Sequence, residues 1–265
     1  MKTILITGST DGIGKLTAIK LAKDGHQMLL HSRNSEKLKQ TISEIKTISN
    51  TKNVNGLVAD LSDFGSIQKM VAKLVNEYSK IDVLINNAGV YNSLNQTNNN
   101  DLDMRFAVNY FAPYILSNSI RSLLQKSSSP RVINLSSAAQ SNVSFEALHG
   151  TEELTVQTAY AQSKLALTMW SFYFAKKNPE ICTIAVNPGS LLNTKMVQEA
   201  LGQHWSSADK GADILYDLAI SITYLNSSGA YFDNDKGSFN KAHSDAYNQE
   251  KITRLISETE KILSN

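Results

Sequence analysis

The sequence predicts a doubly wound α/β fold, a seven-stranded parallel sheet with helices on both faces. Three observations predict it. Short apolar runs alternate with amphipathic stretches along all 265 residues. The runs are apolar on both faces, which suits strands buried in a parallel sheet. The loop after the first run is rich in glycine and opens directly onto a helical pattern, as where a phosphate is held at a doubly wound sheet. No Pro/Gly/Ser-rich linker and no internal repeat divides the chain, so residues 1–265 read as one domain with a substantial core.

The strand runs are Ile4–Ile6, Met28–Leu30, Leu57–Ala59, Val83–Ile85, Val132–Leu135, Ile184–Val186 and Ala230–Phe232. Helical periodicity covers about 12–24, 34–49, 63–79, 101–126, 157–177, 208–225 and 244–263. The Asn-rich stretch Asn92 to Asp101 is a loop, and 141–157 and 190–207 are the long irregular connections. Long ordered connections are often functional, and these two are the expected substrate loops.

Each early strand ends in residues suited to a dinucleotide. Strand one closes with Thr7-Gly8-Ser9-Thr10-Asp11-Gly12-Ile13-Gly14, where three glycines let the backbone approach a pyrophosphate and a helix N-terminus faces the anion. The spacing differs from G-x-G-x-x-G and lacks the Gly-Lys-Ser/Thr end of a triphosphate loop. Strand two closes with Leu30-His31-Ser32-Arg33-Asn34. Ser32 stands where an NAD site usually carries a carboxylate for the ribose 2′-hydroxyl, and Arg33 suits a 2′-phosphate, so NADP(H) is favoured over NAD(H). Strand three ends in Val58-Ala59-Asp60-Leu61, which sets Asp60 where adenine could be contacted. Strand four ends in Asn86-Asn87-Ala88-Gly89, whose last two residues are small enough for a cofactor to lie against them.

Composition sets bounds on partners. Hydrophobic residues at 42% and charged residues at 19% are ordinary for a globular protein. A net charge of +2 gives no reason to expect a nucleic-acid or membrane partner. Cys182 is the only cysteine, which excludes an intrachain disulfide and a cysteine metal cluster. It sits in the apolar run Ile181 to Val186 and reads as a buried, inert thiol. The first strand begins at Lys2, leaving no room for a signal peptide, and no run reaches the ~20 residues of a membrane span. A cytoplasmic protein without a membrane anchor is expected, and the Asn-x-Ser/Thr triplets at Asn95 and Asn142 are chance matches.

The chemistry centres on Tyr160-Ala161-Gln162-Ser163-Lys164. Four residues apart on a helix, the phenol and the ammonium lie one turn from each other on one face. A cation there favours the phenolate and lowers the phenol pKa, as acid–base work on an alcohol or carbonyl requires. Taken with Asn109, Ser137 and Pro188-Gly189, the ordered motifs resemble the short-chain dehydrogenase/reductase family over essentially the whole chain. The glycine spacing is similar to its compact single-domain branch, with a Rossmann-type fold.

The resemblance implies roles for several residues. Asn109, in Phe106-Ala107-Val108-Asn109, would hold a water linking the lysine to solvent. Ser137, the second serine of Ser136-Ser137 and preferred over the first, would bind the substrate oxygen. Tyr160 would be the acid in reduction and the base in oxidation, with Lys164 lowering its pKa and binding the nicotinamide ribose. Pro188 and Gly189 would close over the nicotinamide, and Thr194 would meet its carboxamide. The implied activity is interconversion of a carbonyl and an alcohol, and no metal is called for. The alternative is an NADP(H)-binding redox sensor without turnover, whose members typically lose the tyrosine or the lysine. Both are kept here.

The 23 residues between Ser137 and Tyr160 exceed the usual spacing of the compact branch and resemble retinol-dehydrogenase-like members. The extra segment, with Phe145, Leu148 and His149, forms either a wall of a pocket for a hydrophobic substrate or a surface elaboration packing Phe145 onto the core. Tyr91, His204 and Trp205 are further pocket candidates. Helices 101–126 and 157–177 carry apolar residues on more than one face, which suits either a thick core or a homodimer or homotetramer interface.

Overall fold

A computed structural model describes residues 1–202 and 205–264. The chain runs β1 (Thr3–Ile6), α1 (Gly12–Lys23), β2 (Gln27–Ser32), α2 (Ser35–Ile48), β3 (Val54–Val58), α3 (Phe64–Glu77) and β4 (Val83–Asn86). It continues through α4 (Met104–Phe106), a π turn (Ala107–Phe111), α5 (Ala112–Ser119), α6 (Arg121–Gln125), β5 (Arg131–Leu135), α7 (Phe145–Leu148) and α8 (Val156–Lys177). The last third holds β6 (Cys182–Asn187), α9 (Lys195–Leu201), α10 (Ala208–Ile220), β7 (Ala230–Asp233), β8 (Ser238–Asn240) and α11 (Gln249–Ser264).

The strand order is β3-β2-β1-β4-β5-β6-β7-β8. Seven strands are parallel, as the alternating pattern implies, and an eighth pairs antiparallel with β7 through Phe232 and Phe239. This corrects the expected count of seven. A three-residue strand reached through a tight turn with Gly237 at φ +66° has no apolar run to announce it.

Alternation along the strands feeds two cores. Leu5, Leu29, Leu84 and Val132 face α3, α5, α8 and α11, whereas Ile4, Ile6, Met28, Leu30 and Ile85 face α1, α2 and α10. The chain turns back on itself between β1 and β4, so a crevice opens at the carboxyl ends of those strands. No helix among the described residues is long and apolar enough to cross a membrane.

The helix expected over 101–126 is broken into four pieces. Pro113 lacks a backbone N–H and lies in the first turn of α5, where the ladder shifts through the π turn. The helix expected to 225 stops at Ile220 and is followed by a 3₁₀ turn, Ile222–Tyr224. The apolar surplus on these helices is covered in part by α11, which buries Ile252, Leu255 and Ile256. Thr259 on α11 shares a buried 2.6 Å hydrogen bond with the Tyr110 hydroxyl.

Candidate functional site

A cleft of about 450 Å³ runs along the carboxyl ends of β1–β5, from the loop after β1 to Tyr160 and Lys164. Its floor depends on close backbone approach. A Cβ on Gly8, which has φ +62°, would stand 2.9 Å from the Ala88 Cα, and one on Gly14 would meet the Gly8 carbonyl at 2.7 Å. Asn87 holds this loop through its Nδ2, which donates to the carbonyls of Thr7 (2.8 Å) and Gly8 (2.9 Å). Asp11 caps α1 by accepting from the Gly12 N–H and pairs with Lys37 at 2.6 Å. The Lys37 bond, helped by the Gly12 N–H, holds the Asp11 carboxyl below its ordinary value against the opposing effect of burial.

Most of the expected cofactor contacts line this cleft: Gly8, Thr10 to Gly14, Ser32, Arg33, Asp60, Leu61, Asn87, Ala88, Gly89, Pro188 and Thr194. Three do not. Ser9 is fully buried, and its hydroxyl accepts from the His31 N–H at 2.9 Å, so it stitches the loop to β2. The Asn34 side chain caps α2 by accepting from the Lys37 N–H at 2.8 Å. Gly189, at φ +126°, is turned toward Leu192 and serves the course of the chain. Thr194 reaches the cleft while capping α9 at the Val197 N–H.

Sequence reasoning missed several residues here. His31 accepts from the Gly8 N–H at Nδ1 (3.1 Å) and donates from Nε2 to the Ala59 carbonyl (3.0 Å). A ring used this way is neutral, and burial pulls its pKa down to about 4. Lys37, Lys195, Met196 and Glu199 also border the cleft. Lys37 lies in the first turn of α2, four residues after Arg33.

At the far end the four expected catalytic side chains come together. Asn109 sits in the π turn, where its Oδ1 accepts from the Val90 N–H (2.8 Å) and its Nδ2 donates to the Val90 carbonyl and the Ser163 hydroxyl (3.0 Å each). The Ser137 side chain lies beside the Tyr160 phenol and acts to lower its pKa, while its hydroxyl accepts from the Ala139 N–H at 3.1 Å. Ser136 points the other way, sharing a 2.6 Å bond with Thr168 in the packing between β5 and α8. The Lys164 Nζ donates to the Leu135 carbonyl at 2.7 Å and stands 5.5 Å from the Tyr160 ring centre. A Cβ on Gly89 would lie 3.6 Å from that ammonium.

One electrostatic expectation is corrected. Tyr160 lies above the ordinary phenol value, because burial raises it more than the neighbouring Ser137 lowers it, and Tyr91 adds to the rise. The Tyr91 ring lies 5.0 Å from that of Tyr160. Burial also lowers Lys164 to about 8. The ammonium is directed at a carbonyl rather than at the phenol oxygen, so its charge does not overcome desolvation.

None of the residues lining the cleft comes from the segment 141–157. Arg254 of α11 stacks on the Phe145 ring at 4.0 Å, Leu148 is fully buried, and His149 pairs with Glu258 at 2.9 Å. Phe145 is half-buried and packs against the core, as the second of the two open readings has it, and it also borders a smaller cavity with Val143 and Met169. The segment 190–207 does reach the cleft, through Thr194, Lys195, Met196 and Glu199. Tyr91 lines the cleft, Trp205 is 76% exposed, and His204 lies outside the described residues.

Known proteins resemble this one in sequence and in fold. The short chain dehydrogenase family profile matches residues 2–204. Human retinol dehydrogenase 13 is 30% identical, the match covering 96% of this chain and 82% of that protein. Human polyprenol dehydrogenase is 29% identical over 97% of this chain and 84% of its own. A short chain dehydrogenase of Shigella flexneri, crystallised with NADP, superposes with a TM-score of 0.72 at 25% identity, covering 88% of this chain and 97% of that one. With the glycine loop, the strand-end motifs and the Tyr160–Lys164 helix all in place, the chain belongs to the short-chain dehydrogenase family.

Proposed function

We propose that this protein is an NADP(H)-dependent oxidoreductase that interconverts an aldehyde or ketone and the corresponding alcohol. The observation that carries the reading is that Tyr160 and Lys164, with Ser137 beside the phenol, stand at the end of a cleft that begins at a phosphate-type loop. The cleft fits an extended dinucleotide. Its glycines keep the floor low, the α1 N-terminus faces it, and Arg33 and Lys37 bring cations to the expected 2′-phosphate end. The nicotinamide, when bound, supplies or accepts the hydride.

The chain's own groups handle the oxygen. The Ser137 hydroxyl donates to the substrate oxygen and orients it beside the phenol. Tyr160, kept protonated by burial, gives its proton to that oxygen in reduction and takes it back in oxidation. Lys164 holds the ribose hydroxyls and keeps a positive charge near the proton donor, and Asn109 holds a water that reconnects the lysine with solvent. The aromatic pair Tyr91–Tyr160 makes the substrate end apolar on one side. That wall, with similarity to dehydrogenases named for retinol and polyprenol, supports a hydrophobic carbonyl or alcohol.

Titrating NADPH and NADH into the protein, followed by a carbonyl panel with the tighter one, tests the reading. NADPH should bind at least about tenfold more tightly, and Arg33→Ala should remove most of that margin, since a charge-assisted contact contributes about 1.5–3 kcal/mol. Tighter binding of NADH would refute the assignment of Ser32 and Arg33. Firm NADPH binding with no turnover of any carbonyl would favour the sensor reading.

A pH profile gives a second check. Lys164 of the free enzyme loses its charge as pH rises through about 8. The kcat/KM for reduction should fall across that value, because this parameter reports groups of the free enzyme. Lys164→Arg should carry that limb upward out of range.

A further inference from the structure

The turn between β7 and β8 reads Asp233-Asn234-Asp235-Lys236-Gly237, an ordinary hairpin sequence. Asn and Asp in such turns usually bond to their own backbone. Here they reach across to the connection after β6. The Asn234 Nδ2 donates to the carbonyls of Pro188 (2.8 Å) and Lys210 (3.0 Å). Asp235 accepts from the Ser190 N–H (2.9 and 3.1 Å), the Ser190 hydroxyl (2.5 Å) and the Asn187 Nδ2 (2.9 Å), with the Lys210 ammonium at 3.5 Å. Earlier in the same hairpin, the Tyr231 hydroxyl donates to the Ser137 carbonyl at 3.0 Å.

The segment these bonds hold is poorly able to hold itself. Pro188 has no N–H, Gly189 has φ +126° and Leu191 has φ +49°, which for a leucine persists only when its surroundings impose it. The Pro188 carbonyl and the Ser190 N–H find their partners in side chains of the hairpin. The short antiparallel strand β8 thereby acquires a purpose, since it closes the hairpin and fixes where Asn234 and Asp235 stand.

We propose that the β7–β8 hairpin is a positioning brace for the reacting end of the cleft, with Tyr231 setting the Ser137 strand end and Asn234 and Asp235 setting Pro188–Ser190. The proposal rests on the reading that Ser137 and Pro188 border the substrate and the nicotinamide. It makes Tyr231 and Asp235 positioning residues, acting on the reaction through the segments they hold.

The test uses the full chain and the variants Tyr231→Phe, Asp235→Ala and Asp235→Asn, read by amide hydrogen exchange, NADPH binding and steady-state kinetics. Asp235→Ala should raise exchange at the Ser190 amide about tenfold or more while the β1, β4 and β5 amides stay protected, and should weaken NADPH binding about tenfold. Asp235→Asn retains an acceptor oxygen and should recover part of both. Tyr231→Phe should lower kcat about two- to tenfold with NADPH affinity unchanged, the loss of one hydrogen bond that orients Ser137. An unchanged Ser190 exchange rate in Asp235→Ala overturns the brace, and so does an unchanged kcat in Tyr231→Phe. If Asp235→Ala does not fold, the Ser190 exchange rate of Asp235→Asn and the kcat of Tyr231→Phe decide the matter in the same way. Wild-type protein that binds no NADPH would sink the dinucleotide reading instead, and the exchange rates would still decide whether the hairpin holds Pro188–Ser190.

Discussion

Tyr160→Phe should lower kcat for carbonyl reduction by about 10²–10⁴-fold, the usual contribution of a positioned general acid. The substitution keeps the ring that packs 5.0 Å from Tyr91 and removes only the hydroxyl beside Ser137. Fold and cleft should therefore survive. NADPH affinity should change by less than about tenfold, the range of one lost hydrogen bond, and the melting temperature by only a few degrees. The loss falls on kcat because the phenol proton is needed as charge develops on the substrate oxygen, so the interaction belongs to the transition state. Stopped-flow and steady-state measurement of NADPH oxidation with one accepted carbonyl would read this directly. Unchanged turnover would refute Tyr160 as the acid.

The second large effect is on stability in acid. The folded protein holds His31 neutral with a pKa of about 4, whereas in the unfolded chain it titrates at 6.5. Between those values the unfolded state binds more protons than the folded one, so stability rises with pH across the interval and is lost as pH falls from 6.5 toward 4. At 1.36 kcal/mol for each pH unit between them, the loss is about 3 kcal/mol, and it saturates below the folded value. His31 is only 3% exposed, so solvent screening removes little of this.

The consequence is local as well as global. Protonation of Nδ1 would replace the acceptor of the Gly8 N–H with a donor and so loosen the phosphate-type loop. Urea unfolding of wild type and His31→Gln at a series of pH values would measure it. The variant should be less stable at pH 7 by about 1–3 kcal/mol, through the poorly satisfied Gly8 N–H, and should lack this part of the slope between pH 6.5 and 4. Parallel curves for the two proteins would refute the role of His31.

Much of the site was legible because its residues sit at strand ends. In a parallel doubly wound sheet the carboxyl ends of successive strands converge on one edge, so Gly8, Asp60, Gly89, Ser137 and Pro188 meet once the alternation is read correctly. Tyr160 and Lys164 were legible because helical periodicity alone sets their spacing. His31 was not, since a lone histidine in a strand run carries no sign of which backbone groups it will bridge. The tight β8 hairpin and the seven-residue α9 lacked the length that makes periodicity visible. Phe145 was ambiguous because its partner Arg254 lies more than a hundred residues further along the chain.

The sequence by itself determined the parallel α/β sheet, the glycine loop, the Ser32-Arg33 end of β2 and the Tyr160–Lys164 turn. Each is a matter of local backbone geometry or of residue type at a strand end. Only the tertiary structure decided that Ser136 turns to Thr168, that 141–157 packs on α11 and that Ser9 is a stitch. It also decided that Tyr160 is raised rather than lowered. Desolvation and hydrogen bonding depend on what distant parts of the chain place around a group, and no local spacing records that.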